Sequence, residues 1–132
     1  MGSAVDRWPE ELLCVAVLGG PKPGEPLPDL EISPQAGVTT VLAARGYPDR
    51  PEKGAIVTIP EDLPTDALVF HAGTRRDDAG RLTVSGGRVL TVTGMGPTLE
   101  AAQAVSRDVA SRISFDGKQF RRDIGWREAK RQ

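Results

Sequence analysis

The chain has 132 residues, 17 basic and 18 acidic side chains and a net charge of −1. This length suits one domain with a real core, and the balanced charge excludes a whole-chain field that would steer it to nucleic acid. Aromatics make up 5% while Gly (15) and Pro (11) abound, a mixture suited to short strands and tight turns rather than a helical bundle.

In chain order, Pro9-Glu10-Glu11 ahead of Leu12-Leu13 reads as a helix start that ends at Gly19-Gly20. Residues 1–19 are thus expected to form a short helix, the remnant of a preceding domain. Its apolar stretch, Leu12–Leu18, is too short to cross a bilayer and has no basic region ahead of it. The lone cysteine, Cys14, lies in this stretch and reads as a buried thiol in a reducing cytoplasm rather than a nucleophile. Residues 20–37 are Pro-rich (Pro21, Pro23, Pro26, Pro28, Pro34) and read as a linker. Val38–Ala44, Ala55–Ile59 and Leu68–Ala72 read as strands bounded by Gly and Pro. Arg75–Gly80 reads as a polar turn. Leu82–Ser85 and Arg88–Thr93 flank Gly86-Gly87, which predicts a two-residue hairpin with positive φ at the glycines. From Thr98, a candidate N-cap, the residues Leu99, Ala102, Ser106, Val109 and Ile113 recur on one helical face. In the tail, Phe120 and Trp126 are expected to dock on the domain. Together these elements predict an α+β fold, a small, mostly antiparallel, barrel-like sheet covered by one main helix.

The motifs narrow the chemistry. His71 is the only histidine, and without a second ligand nearby it reads as structural. No His/Cys cluster has metal spacing, and Asp77-Asp78 belongs to a turn. Neither a phosphate-binding P-loop nor a dinucleotide fingerprint is present, since Gly94-x-Gly96 lacks the third glycine. The basic tail (Arg121, Arg122, Arg127, Lys130, Arg131) has only Phe120 and Trp126 to stack among its charges and reads as a solvated face rather than a nucleic-acid surface. A lipoyl-type carrier would need a lysine at the hairpin tip, where Gly86-Gly87 stands. What remains is a set of glycine loops paired with a cation or hydroxyl: Gly46-Tyr47-Pro48 with Lys53-Gly54, Gly73-Thr74, and Gly86-Gly87-Arg88. Glycine admits a ligand to the backbone and Arg offers forked donors to phosphate oxygens. Taken singly each loop reads as a turn, and taken together they read as an anion-facing rim.

Four blocks in series, VTTVLAARGYPDRPEKG (38–54), VFHAGT (69–74), GGRVLTVTGMGPTLEAA (86–102) and ISFDGKQFRRDIGWR (113–127), resemble the C-terminal domain of phosphoribosylamine–glycine ligase, also called glycinamide ribonucleotide synthetase, an ATP-grasp enzyme. The likeness extends over about residues 9–127, with Pro51 standing where the family usually has Tyr. It implies a C-terminal domain at 38–127 and a tail at 128–132. It further implies ATP-dependent joining of glycine to 5-phosphoribosylamine in purine synthesis, in the cytoplasm, with no role for nucleic acid or membrane. By this resemblance Arg88, with the Gly86 and Gly87 backbone, would contact the substrate phosphate, and Gly73 and Thr74 would line the same pocket. Tyr47, Lys53, Arg122 and Asp123 would order loops or meet other domains. The resemblance places ATP and magnesium in the complete enzyme, not on this chain. Its partner would be the N-terminal and ATP-grasp portion of the ligase, and alone it is expected to be inactive. The alternative is a non-catalytic binding or interaction module that keeps the fold.

Overall fold

The structure, a computed structural model, describes residues 23–26, 29 and 33–131. The chain divides into two compact units, Met1–Ser33 and Pro34–Gln132. In the first, residues 23–26 make a turn around Gly24 at φ +88°. The helix expected within 1–19, Cys14, and much of the 20–37 linker lie outside the described residues.

The second unit holds strands β1 (Ala36–Ala43), β2 (Ala67–His71), β3 (Thr74–Arg76), β4 (Leu82–Val84) and β5 (Arg88–Gly96). Two helices follow, α1 (Leu99–Arg112) and α2 (Trp126–Ala129). β5 is central in an antiparallel sheet of order β1-β5-β2, while β3 and β4 form a separate antiparallel pair. Alternation decides the faces. Val38, Thr40 and Leu42 of β1 lie opposite Gly94, Val92 and Leu90 of β5, and this row faces α1. The helix answers with Ala102, Ser106, Val109 and Ala110, the periodic face seen in the sequence. The two layers touch at Gly94, where a Cβ would sit 2.4 Å from Ser106 N and 2.5 Å from Ala102 O. Gly94 therefore serves helix packing rather than nucleotide binding. Two buried hydroxyls join the layers: Ser106 Oγ donates to Val92 O at 3.1 Å and lies 2.7 Å from Thr40 Oγ1.

Helix α1 is bounded at both ends. Thr98 Oγ1 accepts from Ala101 N at 3.1 Å, as an N-cap should, and Glu100 sits in the first turn. At the C-terminus Lys118 Nζ donates to the carbonyls of Ala110 (2.8 Å), Ser111 (3.2 Å) and Ile113, satisfying acceptors that a helix end leaves open. Burial, and secondarily the charge of Arg122, push the Lys118 pKa below its ordinary value.

Four sequence expectations need correction. Gly86-Gly87 is not a hairpin turn, because β4 pairs with β3 and β5 pairs with β1 and β2. Neither glycine has positive φ; that conformation falls at Gly46, Gly54, Gly80, Gly117 and Gly125 in this unit. The hairpin lies one segment earlier, closed through Asp77–Arg81, so Arg75 and Arg76 are strand rather than turn. Ala55–Ile59 is not a regular strand. It runs beside β4 through an isolated bridge between Ile56 and Thr83 and the bonds Val84 N to Ala55 O (2.9 Å) and Val57 N to Leu82 O (2.8 Å). Trp126 stays exposed, with Arg127 and Lys130 over its ring, whereas Phe120 packs against the core. That core is one cluster drawing on both sheets and α1, from Leu42, Val57 and Val84 through Val89, Leu90 and Val92 to Val109, Ile113 and Phe115.

Candidate functional site

The crossing from β4 to β5 gathers most of the residues singled out in the sequence. Ala72 N (3.1 Å) and Gly73 N (3.0 Å) donate to Val89 O, while Ser85 N (2.7 Å) and Gly86 N (3.2 Å) donate to Gly73 O. A Cβ on Gly73 would lie 2.5 Å from Arg88 O and 2.9 Å from Gly86 Cα. Gly73 is thus glycine because two backbones cross in contact, whereas a Cβ on Gly86 would meet only Gly73 Cα, at 3.4 Å. Gly87 has a different reason: its Cβ would lie 2.4 Å from Tyr47 Cδ2 and 3.4 Å from Pro51 Cβ. The Tyr47 loop is seated on Gly87, and Ala44 N donates to Gly87 O at 2.8 Å.

The donors left for a ligand follow from this accounting. The Gly86 N–H is spent on Gly73 O, whereas the Gly87 N–H has no backbone acceptor among the described residues. Arg88 is exposed, and its guanidinium makes no hydrogen bond or ion pair among the described residues. Thr74 Oγ1 lies 2.8 Å from His71 Nδ1, which gives the only histidine its partner. Gly73, Thr74, Gly86, Gly87, Arg88 and Tyr47 therefore meet at one junction, with a free cation and a free amide side by side in sequence.

Lys53 stands across β4 from this junction. It borders a concavity of about 400 Å³ with Gly54, Arg75, Asp77, Thr83, Val84 and Ser85. Asp77 is engaged there: the Arg81 backbone amide first, then the Arg81 side chain and the Ala79 amide, hold its carboxyl below the ordinary value. Arg122 and Asp123 lie on the C-terminal segment and are not equivalent. The Arg122 guanidinium stacks over Phe120 at 4.7 Å. Asp123 is held by Arg121 at 3.0 Å and 2.8 Å, which lowers the carboxyl pKa and raises that of Arg121. An apolar cleft of about 340 Å³ links this segment to Tyr47, lined by Val41, Ala43, Tyr47, Gln119, Phe120 and Arg121. Arg75 and Ser85 were missed in the sequence because Arg75 was assigned to a turn. The alternating run Thr74–Arg76 ahead of Asp77–Gly80 was the available signal.

Among the described residues no three His, Cys, Asp or Glu side chains are placed to hold a metal ion. The charged groups left open at the junction and at the concavity are cations, suited to anionic groups.

The fold is a helix-backed antiparallel domain, and beside its glycine crossing stands an exposed cation, Arg88, with no ion pair among the described residues. Residues 37–127 match the family model described as phosphoribosylglycinamide synthetase, C domain. The chain belongs to that family. It is 44% identical over 104 residues to a phosphoribosylamine–glycine ligase of Ralstonia nicotianae, covering 78% of this chain and 24% of that protein. A ligase of the same name from Thermotoga maritima is 44% identical over 110 residues, covering 83% of this chain and 26% of the relative. A solved crystal structure of phosphoribosylamine–glycine ligase from Thermotoga maritima aligns with TM-score 0.58 and 48% identity, over 63% of this chain and 20% of that one. The chain spans about a quarter of the length of these curated relatives. Among the described residues no helix is long and apolar enough to cross a membrane.

Proposed function

We propose that this chain is the C-terminal, substrate-side part of a phosphoribosylamine–glycine ligase, spanning 38–127 with a short tail at 128–132. The observation that carries this reading is the family match over residues 37–127. The reaction is the ATP-driven joining of glycine to 5-phosphoribosylamine in purine synthesis: the glycine carboxylate becomes an acyl phosphate, the substrate amine forms the new C–N bond, and phosphate leaves. The domain's share is positioning and charge neutralisation. Arg88 and the Gly87 N–H bind the substrate phosphate, with Gly73, Gly86 and Thr74 fixing the backbone around them. Tyr47, Lys53, Arg122 and Asp123 order loops or meet neighbouring domains.

ATP and magnesium belong to the remainder of the ligase, so the 132 residues alone are inactive. A surface for that remainder is available within the 34–132 unit. The sheet face away from α1 carries the rows Val41–Thr91–Phe70 and Thr39–Thr93–Leu68. Phe70 is 53% and Leu68 45% exposed there, an apolar face of the kind that interfaces cover. Arg88→Ala in the reconstituted ligase tests the site. Loss of one charge-assisted contact weakens phosphoribosylamine binding by about 1.5–3 kcal/mol, read as a raised KM. An unchanged KM refutes the role given to Arg88.

A further inference from the structure

The concavity beside Lys53 is built differently from the glycine junction. Three extended segments lie side by side: residues 54–58, β4 and β3. Alternation puts Arg75 and Asp77 on the same face as Thr83 and Ser85, whereas Val84, between those two, is buried in the core. Lys53 enters from the far side of β4, where Gly54 N donates to Val84 O at 2.8 Å. The result is a concavity of about 400 Å³ with hydroxyls along its floor and a cation on each flank.

Its charges are unspent. Among the described residues neither the Lys53 ammonium nor the Arg75 guanidinium has a hydrogen bond or ion pair, and the Ser85 hydroxyl is equally without a partner. The one acid in the lining, Asp77, is occupied: Oδ1 accepts the amides of Ala79 (3.0 Å) and Arg81 (2.8 Å), and Oδ2 accepts Arg81 Nε at 2.8 Å. Its negative charge is answered by Arg81 and does not neutralise the two flanking cations. The Thr83 proton is committed to Arg75 O at 3.1 Å, so the available donors are Lys53, Arg75 and Ser85. Two cations and a hydroxyl lining one concavity are the donor types a phosphate monoester takes, and the volume accommodates a small sugar phosphate.

We propose that this concavity is a second anion site, separate from Arg88, which takes the phosphate of a small phosphorylated metabolite between Arg75 and Lys53 with Ser85 Oγ as third donor. The site does not depend on the ligase reading and is testable on the chain alone. The probes are inorganic phosphate and ribose 5-phosphate, titrated into the ¹⁵N-labelled full chain at low ionic strength, with chloride-matched controls. Saturable shifts are expected at the Gly54, Arg75 and Ser85 amides, with ribose 5-phosphate at least as tight as phosphate. Lys53→Ala and Arg75→Ala each raise the dissociation constant read at the Gly54 amide by about tenfold or more, and Arg107→Ala, which removes an exposed cation of α1, leaves it unchanged. Both substituted side chains are exposed, so an unchanged melting curve establishes that the variants fold. Absence of saturable shifts overturns the proposal, as does undiminished affinity in the Lys53→Ala/Arg75→Ala double variant. Failure here leaves product formation by the reconstituted ligase unaffected, so the two readings are separable.

Discussion

The two hydroxyls buried between sheet and helix are the most direct test of how the domain is held together. Thr40 and Ser106 are 3% and 1% exposed, so neither finds water when its partner is removed. The proton order follows from the geometry. Ser106 Oγ–H goes to Val92 O, so the 2.7 Å contact has Thr40 as donor and Ser106 as acceptor. Ser106→Ala then strands the Thr40 hydroxyl and removes the bond to Val92 O, a loss of about 1–3 kcal/mol. Thr40→Val keeps the shape, leaves Ser106 bonded to Val92 O, and costs about 0.5–1 kcal/mol. In the double variant no hydroxyl is stranded, so it is more stable than the sum of the singles by about 1 kcal/mol. Urea unfolding of the four proteins by far-UV circular dichroism gives the cycle. Strict additivity, or a larger loss from Thr40→Val than from Ser106→Ala, refutes the assigned donor order.

Further outcomes follow from other contacts. Lys118→Met removes the side-chain donors to three carbonyls at the end of α1, and unfolding experiments should show a loss of about 1–3 kcal/mol. Gly94→Ala drives a methyl into the α1 backbone at Ser106 and Ala102 and should cost about 1–3 kcal/mol or more. Gly87→Ala meets only the Tyr47 side chain and Pro51 Cβ, so the partly exposed ring swings aside at a smaller cost; equal losses at 87 and 94 would contradict the packing described. Asp77 has a lowered pKa in the folded chain. Its stabilising share is therefore full above the unfolded carboxyl value near 3.8 and is lost as pH falls through the lower folded value. Asp77→Asn should flatten that part of the acid-unfolding curve, and an unchanged curve would sink the assignment.

Helix α1 was legible because its evidence is local: a capping Thr98 and apolar residues at steps of three and four. Strands β1, β2 and β5 were legible to within a few residues from branched apolar runs between Gly and Pro. The Gly86-Gly87 hairpin was misread because pairing partners are not local. Two strands flanking a Gly-Gly pair satisfy the hairpin pattern whether or not they pair with each other, and here the long β5 is claimed by β1 and β2. Gly87 looked like a turn residue when its cause is the Tyr47 ring seated on it, and the close backbone crossing falls at Gly73. Arg88 was legible as a cation set beside two glycines. Arg75 and Ser85 were not, since only the β3–β4 register aligns them with Lys53.

As the substrate-side domain of a phosphoribosylamine–glycine ligase, this chain should complete an active enzyme when the remaining portion is supplied. Mixing it with the N-terminal and ATP-grasp portion of a related ligase, and following glycinamide ribonucleotide by mass spectrometry with ATP, magnesium, glycine and freshly formed phosphoribosylamine, tests it directly. Product should form only when both pieces are present, and none from either alone. A stable, co-purifying pair that forms no product would contradict the claim and favour a domain kept for binding rather than chemistry.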